Sequence, residues 1–113
     1  MINIHIENEY SKLNTVILGI ANDTGKPPLE SDTYDPRSLY HIKNNSYPVE
    51  EDLLREVDSF HDKLIKHNVN VIRPKNINDC NQIFVRDLGF VISNMFFLSN
   101  IVPNRQAELI GIK

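Results

Sequence analysis

NQIFVRDLGFVISNMFFLSN, residues 81–100, is the most apolar stretch of the chain, and near its middle stand two adjacent charges, Arg86 and Asp87. The reading of this stretch decides the fold. IFVRD, GFVI and MFFLSN are rich in aromatic and β-branched residues and read as core-bound strands, with a bend at Gly89 and a turn at Ser93-Asn94. In a regular strand side chains alternate faces, so Ile83, Val85 and Asp87 share one face while Phe84, Arg86 and Leu88 share the other. The two charges then point apart. Each needs its own partner, because an unpaired charge in an apolar setting is costly.

Outward from this stretch, residues 70–74 (NVIRP) read as a short strand ended by Pro74, and KNINDC as a loop. Residues 48–67 carry the strongest helical pattern. Val49, Leu53, Val57, Phe60 and Leu64 recur every three or four positions and give one apolar face. Pro48 suits the first helical position, and Asn68 is placed to stop the helix. Glu50, Glu51 and Asp52 begin the helix, while Lys63 and Lys66 end it, as the helix dipole favours. Residues 13–20 (LNTVILGI) read as a buried strand, and 2–6 (INIHI) as a short strand or extended arm. Between them and the helix, residues 21–47 are dense in turn formers, with one or two helical turns at PRSLYHI. RQAELIGI, residues 105–112, starts a helix. The order of strand, long loop, helix, then three strands implies an α/β unit.

Composition narrows the function classes. The chain has 113 residues, 41% hydrophobic and 24% charged, with a net charge of −3. It is long enough for one domain with a modest core. The basic residues are scattered and make no phosphate-binding stripe, so nucleic acid is not an expected partner. No apolar run reaches membrane-spanning length, and MINIHIENEYSK lacks the pattern of a signal peptide, so a cytoplasmic protein without membrane contact is expected. The single cysteine, Cys80, excludes an intramolecular disulfide. His5, His41, His61, His67 and Cys80 show no zinc-binding spacing. NDTGKPP lacks the first glycine and the Ser/Thr of a phosphate-binding loop.

Several side chains carry chemistry worth following. A carboxylate matches the planar fork of a guanidinium, so Asp87 is suited to a cationic guanidine ligand. It is equally suited to a salt bridge with Arg73 or Arg105, or to capping a turn. Arg105 opens the last helix, where it can grip a carboxylate in bidentate fashion or remain solvated. Asn81 and Gln82 can hydrogen-bond a ligand or finish a turn. Cys80 has no histidine near it in sequence to activate it.

IFVRDLGFVI resembles the Phe-x-Arg-Asp signature of the guanidine-modifying enzymes: arginine deiminases, amidinotransferases and dimethylarginine dimethylaminohydrolases. LNTVILGIA, the 48–67 helix with NVNVIRP after it, and the Arg-x-x-Glu element in NIVPNRQAELIGI are similar to further parts of that family. The resemblance extends over residues 13–112. It implies the pentein fold, a five-bladed α/β propeller of ββαβ modules. It also implies a covalent cysteine-amidino intermediate on an arginine-like substrate, with no cofactor and no metal. Asp87 then matches the aspartate that binds the substrate guanidinium, and Arg105 an arginine that binds the substrate carboxylate. Asn81 stands where some members have a second ligand-contacting acid, and Arg86 matches the signature arginine and supports the site. Arg86 in place of a glutamate tilts the resemblance toward amidinotransferases and deiminases.

The family's catalytic cysteine and histidine have no counterpart among these residues. The expectation is therefore that residues 1–113 form the N-terminal part of one pentein domain, about two of five modules. Such a part supplies substrate-binding residues but has no turnover by itself. It is also expected to self-associate, or to associate with a chain carrying the remaining modules. The alternative is a non-catalytic small α/β module that binds a ligand or is purely structural.

Overall fold

A computed structural model of the chain describes residues 2–113. The elements are β1 (Thr15–Ile17), α1 (Pro36–Lys43), α2 (Glu50–Lys66), β2 (Asn70–Ile72), β3 (Gly89–Ile92) and β4 (Met95–Leu98). Segments of 3-10 helix lie at Glu30–Asp32, Val85–Asp87 and Pro103–Ile112. The architecture is mixed α/β, as the element order implies. The strands form two separate two-stranded sheets, and neither is closed.

β1 and β2 pair in parallel, with Val16 opposite Val71. Leu18 N donates to Ile72 O at 2.9 Å, and Asn70 N donates to Asn14 O at 2.8 Å, extending the ladder at both ends. A parallel pair needs a crossover, which α2 provides while packing on β2. LNTVILGI is thus not one continuous strand. It pairs over three residues, then Ile20 makes a single antiparallel bridge to Gln82. The kink lets residues 19–21 run against residues 82–83. Gly19 is required there: a Cβ would collide with the carbonyl oxygens of Ile83 and Gln82.

α2 begins at Glu50, with Val49 as its N-cap, so Pro48 lies two positions before the first helical residue rather than at it. Its half-buried stripe is Leu53, Leu54, Val57, His61 and Leu64, whereas Val49 and Phe60 are exposed. The two-stranded sheet beneath is too narrow to cover the whole apolar face. Asn68 does stop the helix. It adopts φ +58°, Asn68 N donates to Ile65 O, and Val69 N donates to Leu64 O, a Schellman closure. That closure delivers Val69 into the core beside Ile20, Ala21 and Leu88. Glu50 ties the long loop to the helix start by accepting from Asp23 N, Thr24 N and Thr24 Oγ1. In that loop PRSLYHI forms α1, capped by the Asp35 side chain on Ser38 N at 2.7 Å. Hydrogen bonds from Ser38 hold the Asp35 carboxyl below its ordinary range.

β3 and β4 form an antiparallel hairpin with Phe90 opposite Phe97 and Ile92 opposite Met95. Ser93-Asn94 is the two-residue turn, and Ser93 has φ +51°, a positive angle at the first turn position as in type II′ hairpins. The N-terminal arm contributes one bridge, Ile6 to Ser93, rather than a strand. The C-terminal half of the most apolar stretch is not core-bound: every residue of β4 is exposed. Among the described residues no helix is long and apolar enough to cross a membrane.

Candidate functional site

IFVRD is not a strand. Val85–Asp87 is a turn of 3-10 helix, closed by Asp87 N to Phe84 O at 3.1 Å and Leu88 N to Val85 O at 3.0 Å. Leu88, 2% exposed, anchors the turn in the core. The alternation argument that sent Arg86 and Asp87 to opposite faces therefore fails. Arg86 Nε lies 3.8 Å from Asp87 Oδ1, on a side chain that is almost fully exposed. Such a contact is screened and worth little.

The second element of the site is the Pro103–Ile112 segment. The sequence pattern implies the first turns of an α-helix, but the segment is 3-10 throughout. In a 3-10 helix residues three apart eclipse one another, which stacks Arg105 directly on Glu108. Arg105 Nε donates to Glu108 Oε1 at 2.6 Å and Nη2 donates to Oε2 at 2.8 Å, a bidentate pair. Its Nη1 donates to Asp87 Oδ2 at 2.8 Å, and Nη2 also reaches Phe84 O at 3.1 Å. One guanidinium is thus held between two carboxylates and a carbonyl. Hydrogen bonding to Glu108, more than that to Asp87, raises the Arg105 pKa far above its ordinary value against the opposing effect of burial. Glu108 is the innermost member, 5% exposed. Sequence reasoning passed over it except as part of Arg-x-x-Glu; the signal was its spacing of three from Arg105.

The structure therefore brings Asp87 and Arg105 together, on each other. Asn81 is exposed and its Oδ1 accepts from Ile83 N at 3.1 Å, finishing a turn. Gln82 is 2% exposed and wholly engaged. Its Oε1 accepts from Ile77 N at 2.8 Å, and its Nε2 donates to Lys75 O at 2.9 Å. Gly111 passes close over that amide, in a space that a Cβ would fill. Gln82 thereby joins the site's backbone to the β2 exit.

Arg73 lies apart from this network, 3.9 Å from Asp58. Burial pushes the Cys80 thiol above its ordinary range, the Glu108 charge adds to that, and Arg105 opposes it. A thiol held protonated is a poor nucleophile. Among the described residues no three His, Cys, Asp or Glu side chains are grouped to hold a metal ion. No family model matches the chain, and neither a curated protein nor a solved structure is significantly similar to it.

Proposed function

We propose that this chain is the guanidino-binding part of an enzyme of the pentein type, one that transfers or hydrolyses the amidino group of arginine or a related compound. The observation that carries the reading is the guanidinium already bound on Asp87. A planar cation sits 2.8 Å from one carboxylate, with a second carboxylate on its other edge. Paired carboxylates of this spacing suit any guanidinium. In the free chain the occupant is Arg105. Substrate competes for Asp87, whose Oδ1 is engaged only by the loose Arg86 contact, and Arg105 turns to the substrate carboxylate. Asn81 lines the approach from the preceding turn, and Arg86 supports from the exposed side.

This reading carries with it a five-bladed propeller of which the chain supplies about two modules, a cytoplasmic setting and no cofactor. Nucleophile and acid/base come from outside these 113 residues, so the chain by itself has no turnover. Calorimetric titration with L-arginine tests the binding role. Saturable binding is expected, weakened by at least about thirty-fold in Asp87→Ala, as loss of a charge-assisted pair implies. L-lysine, which lacks the fork, is expected not to compete. Absence of arginine binding to the wild-type chain rejects the reading.

A specific observation favours a second reading, a structural module without ligand. The Arg105 donors are already divided among Glu108, Asp87 and Phe84 O. In that case the network only ties the 85–87 turn to the 103–112 segment. Arginine then does not bind, while removal of Arg105 still costs stability.

A further inference from the structure

Asp87 and Glu108 hold the same guanidinium unequally. Glu108 commits both oxygens to Arg105, on its Nε–Nη2 edge, at 2.6 and 2.8 Å. Asp87 commits one oxygen, to Nη1 at 2.8 Å. Among the described residues its other oxygen has only the loose 3.8 Å contact with Arg86. Nη2 gives its remaining proton to Phe84 O, so an uncommitted proton is left on Nη1 alone. The two carboxylates also differ in depth: the Glu108 side chain is 6% exposed and that of Asp87 45%. A ligand arriving from water therefore meets Asp87 and not Glu108. Glu108 is also fixed from behind. Lys75 N donates to Gly111 O at 2.8 Å, and Gly111 lies against the buried Gln82 amide, which pins the segment just beyond Glu108.

We infer that Glu108 is a positioning residue for the guanidine-binding role proposed for Asp87, and the inference rests on that role. By holding Arg105 along its Nε–Nη2 edge, Glu108 keeps it from closing on Asp87 and leaves Asp87 Oδ1 open to a ligand. The reason lies in the fork. An arginine pairs best with a carboxylate through two parallel N–H bonds. With Glu108 on that edge, Asp87 receives a single bond. Without the Glu108 charge, Arg105 is a largely buried cation with one carboxylate in reach, and it takes both oxygens. Asp87 is then neutralised by its own chain. Glu108 also offsets the positive charge that an incoming guanidinium meets at Arg105.

NMR titration of the chain with methylguanidine, followed at the Asp87 amide, tests this. Methylguanidine has the fork but no carboxylate, so any role of Arg105 toward a substrate carboxylate does not enter. The wild type is expected to bind. Glu108→Gln, isosteric but uncharged, is expected to weaken binding by at least about ten-fold, the worth of one charge-assisted hydrogen bond. Adding Arg105→Met, whose unbranched chain keeps the bulk, is expected to restore the wild-type affinity or exceed it, because nothing remains to close on Asp87. Circular dichroism checks that both variants are folded. Binding unchanged in Glu108→Gln overturns the inference. So does a loss that Arg105→Met fails to restore, since a merely structural glutamate gives that result. A wild type that binds no methylguanidine rejects the guanidine reading itself, and the role of Glu108 with it.

Discussion

The β1–β2 pair joins residues more than fifty positions apart and is packed on one side by α2. The β3–β4 hairpin joins neighbours across two residues and stands open. Apolarity alone would assign them the reverse way, since GFVI and MFFL are richer in large apolar side chains than TVI and NVI. The difference lies in what each pairing requires. A parallel pair cannot exist without its crossover, so forming it brings α2 and the long loop along and makes an interior. A hairpin needs only its turn and cross-strand contacts, such as the Phe90–Phe97 stack with ring centres 5.3 Å apart. It closes without creating an inside.

Mutations therefore divide by sheet. The largest effect is expected at Gly19→Ala, beside β1. Its Cβ meets backbone carbonyls rather than flexible side chains, so residues 82–83 must move. A loss of about 4 kcal/mol in urea unfolding is expected, among the severe values for one substitution. A loss below about 1 kcal/mol would mean the close crossing of residues 19–21 on 82–83 is dispensable.

Next comes Arg105→Ala, which strands the buried Glu108 carboxylate. About 2 to 3 kcal/mol is expected, reduced from the fully buried case because the Arg105 side chain keeps 21% exposure. Adding Glu108→Gln should restore about 1 kcal/mol by removing the unpaired charge. A double variant less stable than Arg105→Ala would show that the carboxylate has another partner. The smallest effect belongs to the hairpin. Ile92→Thr, measured by urea unfolding, is expected to change stability by no more than about 0.5 kcal/mol. A core-sized loss there would break the comparison outright.

α2, its charge bias and its Asn68 stop were legible in sequence because they depend on local periodicity and on one residue that tolerates positive φ. The hairpin and its Ser93-Asn94 turn were legible for a similar local reason. The Val85–Asp87 turn was not. Three residues of strand-like composition became a 3-10 turn because Leu88 is pulled into a core assembled from Ile20, Ala21 and Val69, all distant in sequence. The partnership of Asp87 with Arg105 was one open possibility among several. It depends on the 103–112 segment arriving beside the turn, which Gly111 and the Gln82 amide bridge arrange.

By itself, then, the sequence determined the α/β class, the helix with its Asn68 stop, and the presence near residue 86 of charges that would need partners. Tertiary structure alone decided which carboxylate meets which guanidinium, and that the most apolar strand faces outward. Periodicity and capping are written within a few residues, whereas burial and ion pairing depend on which distant segments arrive at the same place.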